Sequence, residues 1–131
     1  MKKIKGYIFS RKFYGERVPQ HIQNQILREY CKVNSLEYLL SATEYTIEES
    51  SLMLNKLIKE IKETDGIIFY SIFQLPKKQE ERQNVYNRIV NLKKEIHFAV
   101  ENMVLQKSSD SIEIEQILQI KKTLPSCLKS I

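Results

Sequence analysis

Gly6-Tyr7-Ile8-Phe9-Ser10-Arg11-Lys12 is an apolar strand that runs straight into a serine and two cations. The next strong pattern is a helix carrying glutamines at Gln20, Gln23 and Gln25. A strand that ends in Ser-Arg-Lys and feeds a helix is how α/β proteins build a site at the carboxyl edge of a parallel sheet.

Working outward from that stretch, strand and helix patterns alternate. Lys3 to Ser10 reads as strand one and Pro19 to Asn34 as helix one, with Ile22, Ile26, Leu27, Tyr30 and Cys31 on one face. Pro19 suits the first helical turn, where its missing N–H costs nothing. Leu36 to Ser41 reads as strand two. Glu48 to Glu63 is an amphipathic helix with Leu52, Leu54, Leu57, Ile58 and Ile61 apolar and Glu48 and Glu49 at its positive end. Ile67 to Ile72 is a near-continuous apolar run, the pattern of a strand buried on both faces. Lys78 to Lys93 reads as helix three, Ile96 to Val100 as strand four, and Asn102 to Ser108 as a connection. Asp110 to Thr123 reads as a last helix, which Pro125 stops.

The order β-α-β-α-β-α-β-α, with connections of this length, implies parallel pairing through right-handed crossovers. The expectation is a single domain over residues 1–131: an α/β three-layer sandwich with a four-stranded parallel sheet in the flavodoxin-like order 2-1-3-4. The 131 residues suit one domain, and 42% hydrophobic content supplies a core. A net charge of +5 favours polyanions but lacks the density of a dedicated nucleic-acid binder. Cys31 reads as a small core residue, and Cys127 sits in the tail. Without a CxxC pair or a secretory signal, the expected compartment is a reducing cytoplasm. The run from Gly66 to Phe73 is far too short to span a bilayer.

In such a sheet the site lies beyond the carboxyl ends of the strands. Topology therefore gathers Ser10, Arg11, Lys12, Arg17, Gln20 and His21 after strand one. It adds Ser41, Thr43, Glu44 and Tyr45 after strand two, Tyr70, Ser71 and Gln74 after strand three, and Glu101 and Asn102 after strand four. Ser10 is a candidate nucleophile if a base or cations depress its hydroxyl pKa; the bland alternative is a loop serine bonded to its own backbone. Arg11, Lys12 and Arg17 suit a phosphate or an oxyanion, helped by the N-terminus of helix one. Glu44 and Glu101 are a candidate acid–base pair, and His21 a proton shuttle or phosphate contact. His97 alternates within strand four and reads as a satisfied core or helix-facing histidine. No spacing of His, Cys and carboxylates resembles a metal site. With three glycines in the chain and no glycine loop, the sequence argues against a nucleotide cofactor, and no cofactor is expected. Most aromatic residues fall at core positions; Phe13 and Tyr14, in the loop after Ser10, are the exception.

The chain resembles the catalytic domain of serine recombinases, the resolvase and invertase group. The residues that carry this are Gly6-Tyr7 then Ser10, the glutamine-bearing helix ending in Leu27…Tyr30-Cys31, the Asp65-Gly66-Ile67-Ile68 entry to strand three, and the Leu75 loop after it. The resemblance implies a strand-one serine that attacks a DNA phosphodiester, with arginines in strand one and after strand three activating the phosphate. Here the strand-one arginine position falls on Ile8 or Phe9. The loop expected as Asp-Arg-Leu-x-Arg reads Phe73-Gln74-Leu75-Pro76-Lys77. Lysine lacks the bidentate fork that arginine offers a phosphate. The family's long dimerising helix and helix-turn-helix domain are also expected to be missing. The expectation is the fold without the recombinase activity.

The chain is also similar to bacterial proteins of the sporadic carbohydrate cluster family. The similar stretches are Gly6–Phe13, Gly15–His21, Leu40–Tyr45, Phe69–Pro76 and Ile96–Glu101. That resemblance implies an accessory role in surface-polysaccharide synthesis, with a phosphorylated, nucleotide-linked or acidic sugar as ligand. Arg11, Lys12 and Arg17 would hold the anion, and Gln20, Ser41, Glu44, Ser71, Gln74 and Glu101 would read hydroxyls. The competing expectation is a degenerate recombinase-like module that binds DNA or a protein partner. The modest charge and the lack of a basic helix weigh against DNA. A third is a homo-oligomer whose apolar last helix covers a partner.

Overall fold

The computed structural model describes residues 1–9, 18–44 and 52–129. Its elements are β1 (Lys3–Phe9), α1 (Gln20–Val33), β2 (Glu37–Glu44), α2 (Leu52–Lys59), β3 (Gly66–Phe69), α3 (Gln79–Asn91), β4 (Glu95–Phe98), β5 (Met103–Leu105) and α4 (Asp110–Lys129). Short 3-10 turns over Ile61–Glu63 and Ile72–Gln74 flank β3.

Among the described residues the sheet has five strands in the order β2-β1-β3-β4-β5. The expected order 2-1-3-4 is kept, and its pairs are parallel. The expected all-parallel, four-stranded sheet is corrected: β5 runs antiparallel to β4, so the sheet is mixed. The missed strand is three residues long and follows a turn without glycine. Asn102 supplies the left-handed backbone of that turn, at φ 53°.

Period-2 alternation sorts β1 between two layers. Ile4 and Ile8 pack with Leu27 and Cys31 of α1. Tyr7 and Phe9 pack on the opposite face, in a cluster that takes in α2, α3 and α4. The core is therefore lopsided, with one helix on one face and three on the other. Both α1 and α3 end in Schellman motifs built without glycine. Leu36 N–H bonds back to the Cys31 carbonyl at 2.7 Å and Lys94 N–H to the Ile89 carbonyl at 3.1 Å. Ser35 and Lys93 take the left-handed position at φ 56° and 58°.

Several boundaries differ from the sequence reading for identifiable reasons. β2 runs on to Glu44 because it stays paired with β1 as far as Phe9, and it carries a bulge on the way. Lys5 pairs with Leu39 but Tyr7 with Ala42, so two residues of β2 stand opposite Gly6. The extra residue brings Tyr38 and Ser41, three apart, onto the α1 face, where both hydroxyls donate to Asn24 Oδ1 at 2.7 Å. Gly6 is required there: a Cβ would sit 2.5 Å from the Tyr38 hydroxyl and 2.9 Å from Ser41 Cβ. β4 begins one residue early and ends at Phe98. α4 passes through Pro125 instead of stopping before it. A proline forfeits one hydrogen bond, but its fixed φ is compatible with a helix.

Candidate functional site

The carboxyl edge of the sheet carries a closed polar network. Gln23 is fully buried on α1, on the inward row it shares with Leu27 and Cys31. Its Oε1 accepts the Phe9 N–H at 3.0 Å, and its Nε2 donates to the Phe9 carbonyl at 2.8 Å and the Val18 carbonyl at 2.7 Å. One amide therefore closes both the last backbone groups of β1 and the entry to α1. Gln74, 1% exposed, donates from Nε2 to Gln23 Oε1 at 2.8 Å. Gln74 Oε1 accepts the Tyr70 N–H at 3.0 Å. That bond ends β3 at Phe69, three residues before the sequence reading ends it.

A second pair closes the turn after β3. Ser71 Oγ donates to Glu101 Oε2 at 2.7 Å, and Glu101 Oε1 accepts the Ile72 N–H at 3.0 Å. Ser71 Oγ also accepts the Phe73 N–H at 3.2 Å and, with Gln74, forms a capping box. Carboxylate and hydroxyl together satisfy the start of the 3-10 turn and tie β3 to the β4–β5 turn. Charge-assisted bonds of this kind are the stronger ones.

These observations redistribute the expected site residues. Ser71 and Gln74 are at the expected edge, but both are buried with their polar atoms held by protein groups. Glu101 is half-buried and anchored to Ser71 and Ile72. Ser41 lies inside β2 on the α1 face, not beyond the strand's end. Tyr70 is half-buried between the two cores. Gln20 and His21 are exposed on the first turn of α1. Pro19 is one position outside that helix, and its carbonyl accepts the Ile22 and Gln23 N–H groups. Glu44 ends β2, and its side chain lies outside the described groups. Ser10, Arg11, Lys12, Phe13, Tyr14, Arg17 and Tyr45 lie outside the described residues.

Two polar clusters escaped the sequence reading. On the α1 face of β4, His97 Nε2 lies 2.9 Å from Glu95 Oε1 and His97 Nδ1 lies 2.8 Å from the Tyr30 hydroxyl. The expected satisfied, helix-facing histidine is what stands there. Glu95 Oε2 also receives Lys2 Nζ at 3.0 Å and Gln106 Nε2 at 2.7 Å. Burial alone would raise the Glu95 carboxyl pKa, but the hydrogen bonds from His97, Gln106 and Lys2 outweigh it and the pKa falls below its ordinary 4.5. Burial raises the Tyr30 hydroxyl and pushes the Cys31 thiol up to about 11, which leaves that thiol inert. Between α3 and α4, Arg82 forms a two-pronged pair with Glu115, at 2.8 Å on each prong. Tyr86 adds its hydroxyl to Glu115 at 2.6 Å. Arg82, like Gln23 of the carboxyl-edge network, shows in the sequence as a polar residue at an inward helical position; distant partners leave no such signal.

Among the described residues no group of three or more His, Cys, Asp or Glu is placed to hold a metal ion, and no helix is long and apolar enough to cross a membrane.

No family model and no curated protein matches the chain. Solved structures do match its fold. One is the N-terminal catalytic domain of TP901-1 integrase, at TM-score 0.67 and 16% identity, covering 94% of this chain and 98% of that one. Another is a resolvase family site-specific recombinase from Streptococcus pneumoniae, at TM-score 0.63 and 12% identity, covering 97% of each chain. The chain has the fold of these domains, the resolvase-like α/β fold with a mixed sheet.

Proposed function

We propose that this protein is a recombinase-fold binding module that engages DNA without cutting or rejoining it. The fold likeness to an integrase domain and a site-specific recombinase supports the partner class. The net charge of +5 is compatible with a phosphate backbone. One position carries the loss of chemistry: Gln74. The resemblance to serine recombinases puts an arginine here to stabilise the phosphoryl transition state. The side chain present is a buried, neutral amide that bonds Gln23 and the β3 backbone. A neutral group facing inward supplies none of the charge that electrostatic stabilisation needs.

The test incubates the protein with duplex DNA and follows fluorescence anisotropy across a salt series, alongside a denaturing gel for covalent protein–DNA adducts. The expected result is binding whose logarithm falls linearly with the logarithm of salt, with no adduct. An adduct that disappears in Ser10→Ala overturns the proposal. So does anisotropy that never rises above baseline at low salt.

The exposed Gln20 and His21, beside the cations Arg11, Lys12 and Arg17 in sequence, support a second reading. In it a phosphorylated or acidic sugar binds at the carboxyl edge, in the service of polysaccharide synthesis. A dose-dependent thermal shift with a sugar phosphate, lost in Arg11→Ala, would favour it over DNA.

A further inference from the structure

β1 lies between β2 and β3, in the interior of the sheet. Interior strands of such sheets are apolar on both faces, yet Lys3 and Lys5 interrupt β1 on the face where Tyr7 and Phe9 pack against α2. Near the amino end of β1 a cleft of 340 Å³ opens between the strands and the carboxyl end of α2. Its apolar lining is half-buried Leu39 with Leu57 and Ile67, both buried, beneath it. Lys5 pairs across the sheet with Leu39 on one side and Ile67 on the other, which sets the three residues side by side in the lining. Lys3 and Lys5 line it from β1; Glu60 and Glu63 line it from the 3-10 turn that follows α2.

Two cations and two anions therefore share one cleft. Among the described residues, none of the four is in an ion pair. Opposite charges that line one concave surface without neutralising each other are complementary to a molecule that carries both signs. The volume falls at the small end of ligand pockets.

We propose that this amino-edge cleft binds a small zwitterion with an aliphatic body, an amino acid being the simplest such molecule. The ammonium groups of Lys3 and Lys5 take its carboxylate, the carboxylates of Glu60 and Glu63 take its ammonium group, and the aliphatic lining takes its side chain. The cleft lies at the opposite end of the strands from Ser71, Gln74 and Glu101, so the proposal is independent of the DNA reading.

The test is a thermal-shift titration of the full chain with L-leucine, its amine-free analogue 4-methylpentanoate, its carboxylate-free analogue 3-methylbutylamine, and glucose 6-phosphate. Leucine is expected to raise Tm by about 5–10 °C at about 100 times its Kd. Each singly charged analogue should bind at least about tenfold more weakly, the loss of one charge-assisted contact. Lys5→Gln and Glu60→Gln should each weaken leucine by a similar factor while shifting the ligand-free Tm by only about 2 °C, as surface changes do. Arg11→Ala should leave leucine binding unchanged. Three outcomes overturn the proposal: no shift with leucine up to about 10 mM, a leucine shift that survives both variants, or 4-methylpentanoate, 3-methylbutylamine or glucose 6-phosphate matching leucine.

Discussion

The two ends of the sheet use their polar residues differently. At the carboxyl edge, among the described residues, Gln23, Gln74, Ser71 and Glu101 bond one another and the backbone and so satisfy strand ends, a helix entry and a turn. At the amino edge, Lys3, Lys5, Glu60 and Glu63 line a cleft and none is in an ion pair among the described residues. Buried polar groups are costly unless satisfied, so the first arrangement holds the fold together. Exposed charges at a cleft mouth cost little to leave unpaired, so the second is free to serve a ligand. Position at the sheet edge where α/β proteins usually bind ligands is therefore a weaker guide than whether the side chains there are already engaged.

The sharpest way to break this contrast is Gln23→Leu. The shape is nearly kept, but the bonds that Gln23 makes to the Phe9 N–H and carbonyl, the Val18 carbonyl and the Gln74 amide are lost. With about 1–3 kcal/mol for each buried group left unsatisfied, and some relief from water, the expected destabilisation is about 3–5 kcal/mol, read from the urea midpoint. A change below about 1 kcal/mol, within the range of surface substitutions, would mean the carboxyl-edge network contributes less to the fold than its geometry says.

The Glu95 cluster lies on β4 and adds a pH dependence of smaller size. The folded carboxyl pKa is lowered from 4.5. A depressed carboxyl contributes stability that is fully present above its unfolded pKa and is lost as pH falls through the folded value. Wild type should therefore lose part of its advantage over Glu95→Gln as pH drops below 4.5, while the difference stays constant above it. A difference that is flat across the acid range would show that the lowering is absent.

How much of this was legible beforehand follows the same division. Periodicity located β1 and α1 to within a residue or so, because Ile4, Ile8, Leu27 and Cys31 show the burial directly in their spacing. The antiparallel β5 stayed hidden because its three residues are too few to display alternation and its turn uses Asn102 where a glycine would have signalled it. The bulge opposite Gly6 was likewise invisible, since it appears only when Tyr38 and Ser41 meet Asn24. Topology brought Ser71, Gln74 and Glu101 to one edge, but it cannot say whether a side chain faces a ligand or the backbone. That depends on partners such as Gln23, fifty-one residues from Gln74 in the chain. The amino-edge cleft leaves no signature in the sequence, because Lys3 and Lys5 meet Glu60 and Glu63 only once β1 and the segment after α2 lie side by side.

That last point yields the smallest expected stability effect and the finest test of the contrast. Lys5 is half-buried between Leu39 and Ile67. If its ammonium group serves no structural partner, Lys5→Leu should leave the ligand-free protein as stable or raise it by about 0.5–1 kcal/mol, since a leucine at this half-buried position removes its own apolar area from water. Chemical denaturation of the ligand-free variant measures this directly. A loss above about 1 kcal/mol would instead assign Lys5 a structural role and erase the difference between the two edges. Stability retained together with lost leucine binding would separate them, one edge holding the fold together and the other left open for a ligand.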